Sequence, residues 1–278
     1  MTLTNRIAGI ALAMIVTGVS AASAQPALAD VLERYGVRAK PGAFDQPFDA
    51  LAAPTIPVTP GAFATPLAVL TTTAGDSQVD AAYAFGILAG RSGRAASPPE
   101  LMAAGRALTA MIGSNDRRSR IAGARVAGRI FAAPYDRSGA RPVLPAGMTE
   151  AIFAMLNRDE EIDQLAAMDA LGLLREVSAA ASLTDRYHYY RDGNRRARAG
   201  GALEALARIG DSSTIAIVTA LAGDPWAEGR DATALAIAFA RERMLKDGSI
   251  AVIRKAVENK SLRNQARGYL DELGAPVP

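Results

Sequence analysis

The sequence predicts an all-α protein, an α-solenoid of short antiparallel helix pairs preceded by an irregular proline-rich arm. Three observations predict it. From Asp76 onward apolar residues recur at helical spacing, broken by Gly, Asp, Asn or Pro about every 15–20 residues. No stretch alternates Val, Ile, Thr and aromatic residues as a half-buried strand would. A small-residue-rich segment also returns along the chain at the intervals of a helical repeat.

The first element is a targeting segment. Residues 1–6 include Arg6, 7–19 are an apolar run, and Ala22-Ser23-Ala24 precedes Gln25, the pattern of a secretory signal cut after Ala24. The apolar run is shorter than the roughly 20 residues a bilayer span needs, and Pro26 follows it. Residues 1–24 are therefore expected to be a signal peptide, and the mature chain to be soluble and periplasmic or secreted, with no stable membrane insertion. The chain contains no cysteine. That removes disulfides, thiol nucleophiles, Cys-ligated metal sites and a lipoprotein anchor.

Residues 25–75 form the expected arm. A short helix is predicted over 27–35. Pro41, Pro47, Pro54, Pro57, Pro60 and Pro66 then deny long helices, because each lacks a backbone donor and pushes its predecessor toward extended geometry. The arm reads either as a cap anchored by Phe44, Phe48 and Phe63 or as a tether.

Residues 76–278 are the expected repeat domain, with helices at 79–89, 99–112, 118–131, 149–156, 164–174, 195–209, 214–221, 230–244, 249–257 and 262–273. The clearest is 195–209. Ala199, Ala202, Leu203, Leu206 and Ile209 share one face there, and Gly210 closes the helix. Asp211 is placed to cap the next helix, whose Ile215, Val218 and Leu221 precede the turn Gly223-Asp224-Pro225. A Pro- and Gly-rich insertion holding Tyr135 occupies 133–147.

The recurring segment includes Ala81-Ala82-Tyr83-Ala84-Phe85-Gly86, Gly123-Ala124-Arg125-Val126-Ala127-Gly128 and Ala166-Ala167-Met168-Asp169-Ala170-Leu171-Gly172. Anchored at Ala84, Val126, Ala170, Ala205, Ile237 and Leu270, it steps by roughly 42, 44, 35, 32 and 33 residues. Its fullest form is Arg198-Ala199-Gly200-Gly201-Ala202-Leu203-Glu204-Ala205-Leu206-Ala207-Arg208-Ile209-Gly210-Asp211 with Ile215-Ala216-Ile217-Val218-Thr219-Ala220-Leu221. This unit resembles a HEAT repeat of the short bacterial type also found in phycobilisome lyases. The resemblance covers about 76–273 and is best over 194–224. Ala207 stands where the family has Gly, and the unit from Arg230 lacks its closing Gly. The resemblance implies a right-handed superhelix with a concave partner-binding face, and no activity.

Residues that could carry chemistry are few. The only histidine, His188, lies in Asp185-Arg186-Tyr187-His188-Tyr189-Tyr190-Arg191-Asp192, where it lacks the partners of a general base or zinc site. Tyr187, His188, Tyr189, Tyr190 and Arg191, with the following Arg195, read as a partner-contact patch or as the packing of an inter-repeat loop. Arg118, Arg125 and Arg129 fall near one helix face beside Arg117 and Arg120, a stripe for phosphate or an acidic protein, or a solvated face paired with acids such as Asp116 and 159–161. Asp159, Glu160, Glu161 and Asp163 open a helix, where acids complement the dipole.

With a net charge of +3 and no nucleophile elbow or phosphate loop, no catalytic residue, metal ligand, cofactor or nucleic-acid contact is expected. The leading expectation is a non-enzymatic periplasmic scaffold or adaptor that binds a protein or peptide. The alternatives are an envelope hydrolase or lyase with a site near His188 or 133–147, and a structural protein of the cell envelope.

Overall fold

The computed structural model describes residues 58–91, 96–132, 142–210, 212–221 and 231–278. The signal segment, the 27–35 helix, Phe44, Phe48, Tyr135 with most of the insertion, Asp211 and the 223–225 turn lie outside them. Among the described residues there are twelve α-helices and no strand.

Part of the proline-rich stretch departs from the irregular arm expected of it. Pro60–Phe63 forms a 3-10 turn that runs into α1, Ala64–Thr72. Pro60 and Pro66 fall within the first turns of their helices, where the missing N–H has no intrahelical acceptor to lose. Phe63 is fully buried and meets Phe85 edge to face at 5.2 Å between centroids. Residues 60–72 are thus packed helix.

The helices that follow are α2 (Asp76–Arg91), α3 (Pro98–Ile112), α4 (Arg117–Ile130), α5 (Met148–Leu156), α6 (Glu161–Leu174) and α7 (Ala180–Asp192). Then come α8 (Arg196–Ile209), α9 (Ile215–Ala220), α10 (Ala232–Leu245), α11 (Ile250–Ala256) and α12 (Arg263–Glu272). Caps explain several starts. Ser97 and Glu100 form a reciprocal capping box on α3, and Asp116 and Asp231 accept backbone N–H groups at the starts of α4 and α10.

α7 has no counterpart in the sequence reading, which left the tyrosine-rich segment outside the predicted helices. Its buried residues are Ala180, Leu183, Tyr187 and Tyr190. Two tyrosines supply half of a face that aliphatic residues supply elsewhere, so the apolar period is masked by polar letters.

Adjacent helices pack on one another. α1 with α2, α3 with α4, α5 with α6, α7 with α8, α9 with α10 and α11 with α12 are neighbouring pairs. The even-numbered helices also pack successively, α2 on α4, α4 on α6, α6 on α8 and α8 on α10. Small residues make that row close. A Cβ on Gly128 would lie 2.9 Å from Ala170 Cα, and one on Gly172 would lie 2.7 Å from Ala205 Cα. The recurring small-residue segment is therefore the seam of one helix row, where backbones touch because no side chain intervenes.

Polar pins cross the same seam. Arg120 and Asp163, 2% and 0% exposed, pair at 2.6 Å between α4 and α6. Arg120 also donates to the Ser114 and Asn115 carbonyls beyond the end of α3. Arg175, in the left-handed region at φ 53° after α6, donates to the Arg208 and Ile209 carbonyls and so satisfies the end of α8. Among the described residues no helix is long and apolar enough to cross a membrane.

Candidate partner-binding face

One face of the even row packs on the odd helices, and the other carries a stripe of half-exposed side chains. On α6 these are Ile162, Leu165, Asp169 and Leu173, spaced three or four residues apart. On α4 the matching positions are Arg118, Arg125 and Arg129, the basic stripe of the sequence reading. On α8 they are Gly201, Glu204 and Arg208. Neighbouring contacts join them into one surface. The Arg129 guanidinium lies over Gly90, Leu173 reaches Gly128, and Leu165 lies over Gly201. The surface is apolar on α6 and charged on both flanks.

The first turns of α2 and α6 carry acids. α4 and α8 carry no acid in their first turns, so their arginines oppose the helix dipole. Acids from neighbouring helices answer them. Asp76 pairs with Arg118, Asp163 and Glu160 with Arg120, Glu161 with Arg195 and Arg198, and Asp231 with Arg196. Most of these pairs are exposed enough to add little stability individually. Together they hold each helix start to its neighbours in the row. The acids at 160–163 are thereby assigned to arginines, and the basic stripe has Asp76 and Asp163 as partners in place of the 159–161 run alone.

The tyrosine-rich cluster divides along α7. Tyr187 and Tyr190 point inward, 4% and 0% exposed, so burial removes both from the expected contact patch. The Tyr190 hydroxyl donates to Gln164 Oε1 on α6, and burial, ahead of the opposing pull of Arg186, raises its pKa. Gln164 in turn donates to the Arg158 carbonyl. His188, Tyr189, Arg191 and Arg195 remain exposed. The Arg195 guanidinium sits 5.6 Å from the Tyr189 ring centre, and the His188 ring meets Tyr187 at 5.4 Å. The cluster is a helix face, half core and half surface, rather than a loop.

A second polar cluster, which the sequence reading missed, lies at the far end of the stripe. Arg208 pairs with Asp169 at 2.7 Å on one side and with Glu272 of α12 at 3.0 Å on the other. Gln265 of α12 donates to Glu204 at 3.2 Å and to the Tyr269 hydroxyl at 2.8 Å. Burial raises the Glu204 pKa, against the opposing effect of Arg208. Burial works against the Arg208 charge, yet Asp169, Glu272 and Glu204 together hold its proton more firmly than usual. The signal was available in the repeat register: Arg125, Asp169 and Glu204 occupy equivalent positions, as do Arg129, Leu173 and Arg208.

Among the described residues no group of three or more His, Asp or Glu side chains is placed to hold a metal ion. These features define an all-helical protein of packed helix pairs with a mixed apolar and charged face. No protein-family model, curated protein or solved structure matches the chain.

Proposed function

We propose that this protein is a HEAT-like helical solenoid that serves as a non-enzymatic scaffold or adaptor, exported to the periplasm after cleavage of residues 1–24. It binds a protein or peptide along the open face of the even-numbered row. The observation that carries this reading is the stripe of half-exposed Ile162, Leu165 and Leu173 between the arginines of α4 and the Glu204/Arg208 pair of α8. An apolar centre with charged borders is the anatomy of a protein-binding surface. The small-residue seams support the solenoid reading, since they repeat the same close approach from α4 to α6 and from α6 to α8.

The test is photo-crosslinking in cells from a reactive side chain placed at Leu165 or Leu173, with Val177 and Val252, exposed residues that are not part of the stripe, as controls. A discrete adduct from the first pair and none from the controls is expected. Equal labelling from both sets would sink the reading. His188→Ala is expected to leave that adduct unchanged, and the exported chain is expected to begin at Gln25 by intact mass.

A further inference from the structure

In a regular stack α12 would continue the even row, touching α10 as α8 touches α6. It packs on α10 more lightly than that, through the Tyr269–Phe239 stack and the Arg243–Glu272 pair, and its side chains also reach α8 through Arg208–Glu272 and Gln265–Glu204, pairs 64 and 61 residues apart. Other links across the row, such as Arg120–Asp163, span 43 residues or fewer. α12 therefore covers Glu204 and Arg208 at the C-terminal end of the stripe, and residues 233–240 of α10 are buried.

The attachment is specific but thin. Only Ala266, Tyr269 and Leu270 of α12 are buried, against eight residues of α8. Tyr269 stacks on Phe239 at 4.3 Å, and Glu272 is shared between Arg208 and Arg243. The docked helix also takes part of the Glu204 side chain out of water, leaving it 19% exposed. A segment with little apolar burial and an imposed desolvation belongs to the weakly held part of a fold.

We infer that α12 is a displaceable occupant of the partner-binding face, and that the partner docks there as a helix presenting an aromatic ring and, one turn later, a carboxylate. The inference rests on the partner-binding reading above and deepens it. The ring would stack on Phe239 and the carboxylate would take the place of Glu272 between Arg208 and Arg243, as the i and i+3 positions of one helix face allow. Binding then requires α12 to leave, so affinity is lowered by the fraction of molecules in which it is docked.

The test uses the full chain and, as probe, a labelled peptide of residues 262–274. Tyr269→Ala with Glu272→Arg is made in the chain to release α12. The native-sequence peptide is expected to bind the released chain at least about tenfold more tightly than the unaltered chain. Adding Arg208→Glu, or carrying Tyr269→Ala in the peptide, is expected to abolish binding. Equal binding to both chains, or none to a released chain whose helical circular dichroism is native, overturns the inference.

Hydrogen exchange on the unaltered chain tests the same point without a variant. Amides of α12 are expected to exchange about 100-fold faster than those of α8, and equal protection overturns it. In-cell adducts from Leu165 that do not change on α12 release would remove this inference and leave the scaffold reading standing. Loss of all face-specific adducts would remove the scaffold reading itself.

Discussion

The junction of α4 with α6 and the junction of α10 with α12 stand at equivalent places in the repeat, yet they are closed by opposite means. At the first, Gly128 lets the backbones touch at Ala170, and a fully desolvated Arg120–Asp163 pair pins the helix starts. At the second, three buried side chains of α12, the Tyr269–Phe239 stack and the Arg243–Glu272 pair hold the helix lightly. The difference teaches that small residues, rather than the helical period, decide whether a repeat continues the stack. Where α10 meets α12 the facing residues are Phe239 and Tyr269, whose stacked rings keep the axes apart.

The comparison breaks most severely at Asp163. Asp163→Ala leaves the buried Arg120 charge with only the more distant Glu160, at 3.7 Å, to answer it and is expected to cost about 3–5 kcal/mol by urea unfolding. Arg120→Met with Asp163→Leu is expected to recover most of that loss. Glu272→Ala at the loose junction is expected to cost under about 1 kcal/mol, because Glu272 is partly solvated and Arg208 keeps Asp169.

Gly172→Ala probes the seam itself. The new Cβ lies 2.7 Å from Ala205 Cα, so α6 and α8 must separate, at an expected cost of about 1–3 kcal/mol despite the better helix propensity of Ala. Gly201→Ala on the open face meets only the tip of Leu165 and Met168 and is expected to be near neutral. Thermal unfolding of the two variants side by side checks the contrast.

Tyr190→Phe removes the hydroxyl that donates to Gln164 and is expected to cost about 1–2 kcal/mol, whereas Tyr189→Phe, on the exposed side of α7, is expected to cost nothing measurable.

The smallest effects are pH-dependent and of opposite sign. Burial would raise the Asp231 pKa, but hydrogen bonds from Ala234, Arg196 and Thr233 hold it below 3.8. Its contribution is therefore complete above the unfolded value and lost as pH falls through the folded one. Asp231→Ala is expected to cost about 1 kcal/mol at neutral pH and progressively less below pH 4. Burial, against Arg208, raises Glu204 above 4.5. Ionised Glu204 therefore opposes folding above its folded pKa, and that cost fades as pH falls toward the unfolded value. Glu204→Gln is expected to raise the neutral-pH melting temperature by a few degrees at most and to have no effect at pH 4.

Much of the fold was legible. Ten of the helices were read from apolar spacing, with ends shifted by a few residues where Asp116, Ser97 or Asp231 set the cap. Two were not. α1 was hidden because Pro60 and Pro66 signal a break unless their place in a first turn is known, and α7 because Tyr187 and Tyr190 do the work of leucines. The candidate site was legible only in pieces. The arginines of α4 were visible as a stripe, but Asp76 and Asp163, which answer Arg118 and Arg120, are about 42 residues distant in sequence.

By itself the sequence determined that the chain is helical, where most helices begin and end, and that a small-residue seam recurs along it. Those properties follow from local terms: the period of apolar residues, cap hydrogen bonds, and the lack of a Cβ at glycine. Only the tertiary structure decided which side of each helix is open, which acid answers which arginine, and that Gln265 and Glu272 of α12 reach α8. Those outcomes depend on contacts between residues tens of positions apart, whose energies exist only once the seam has brought the helices together.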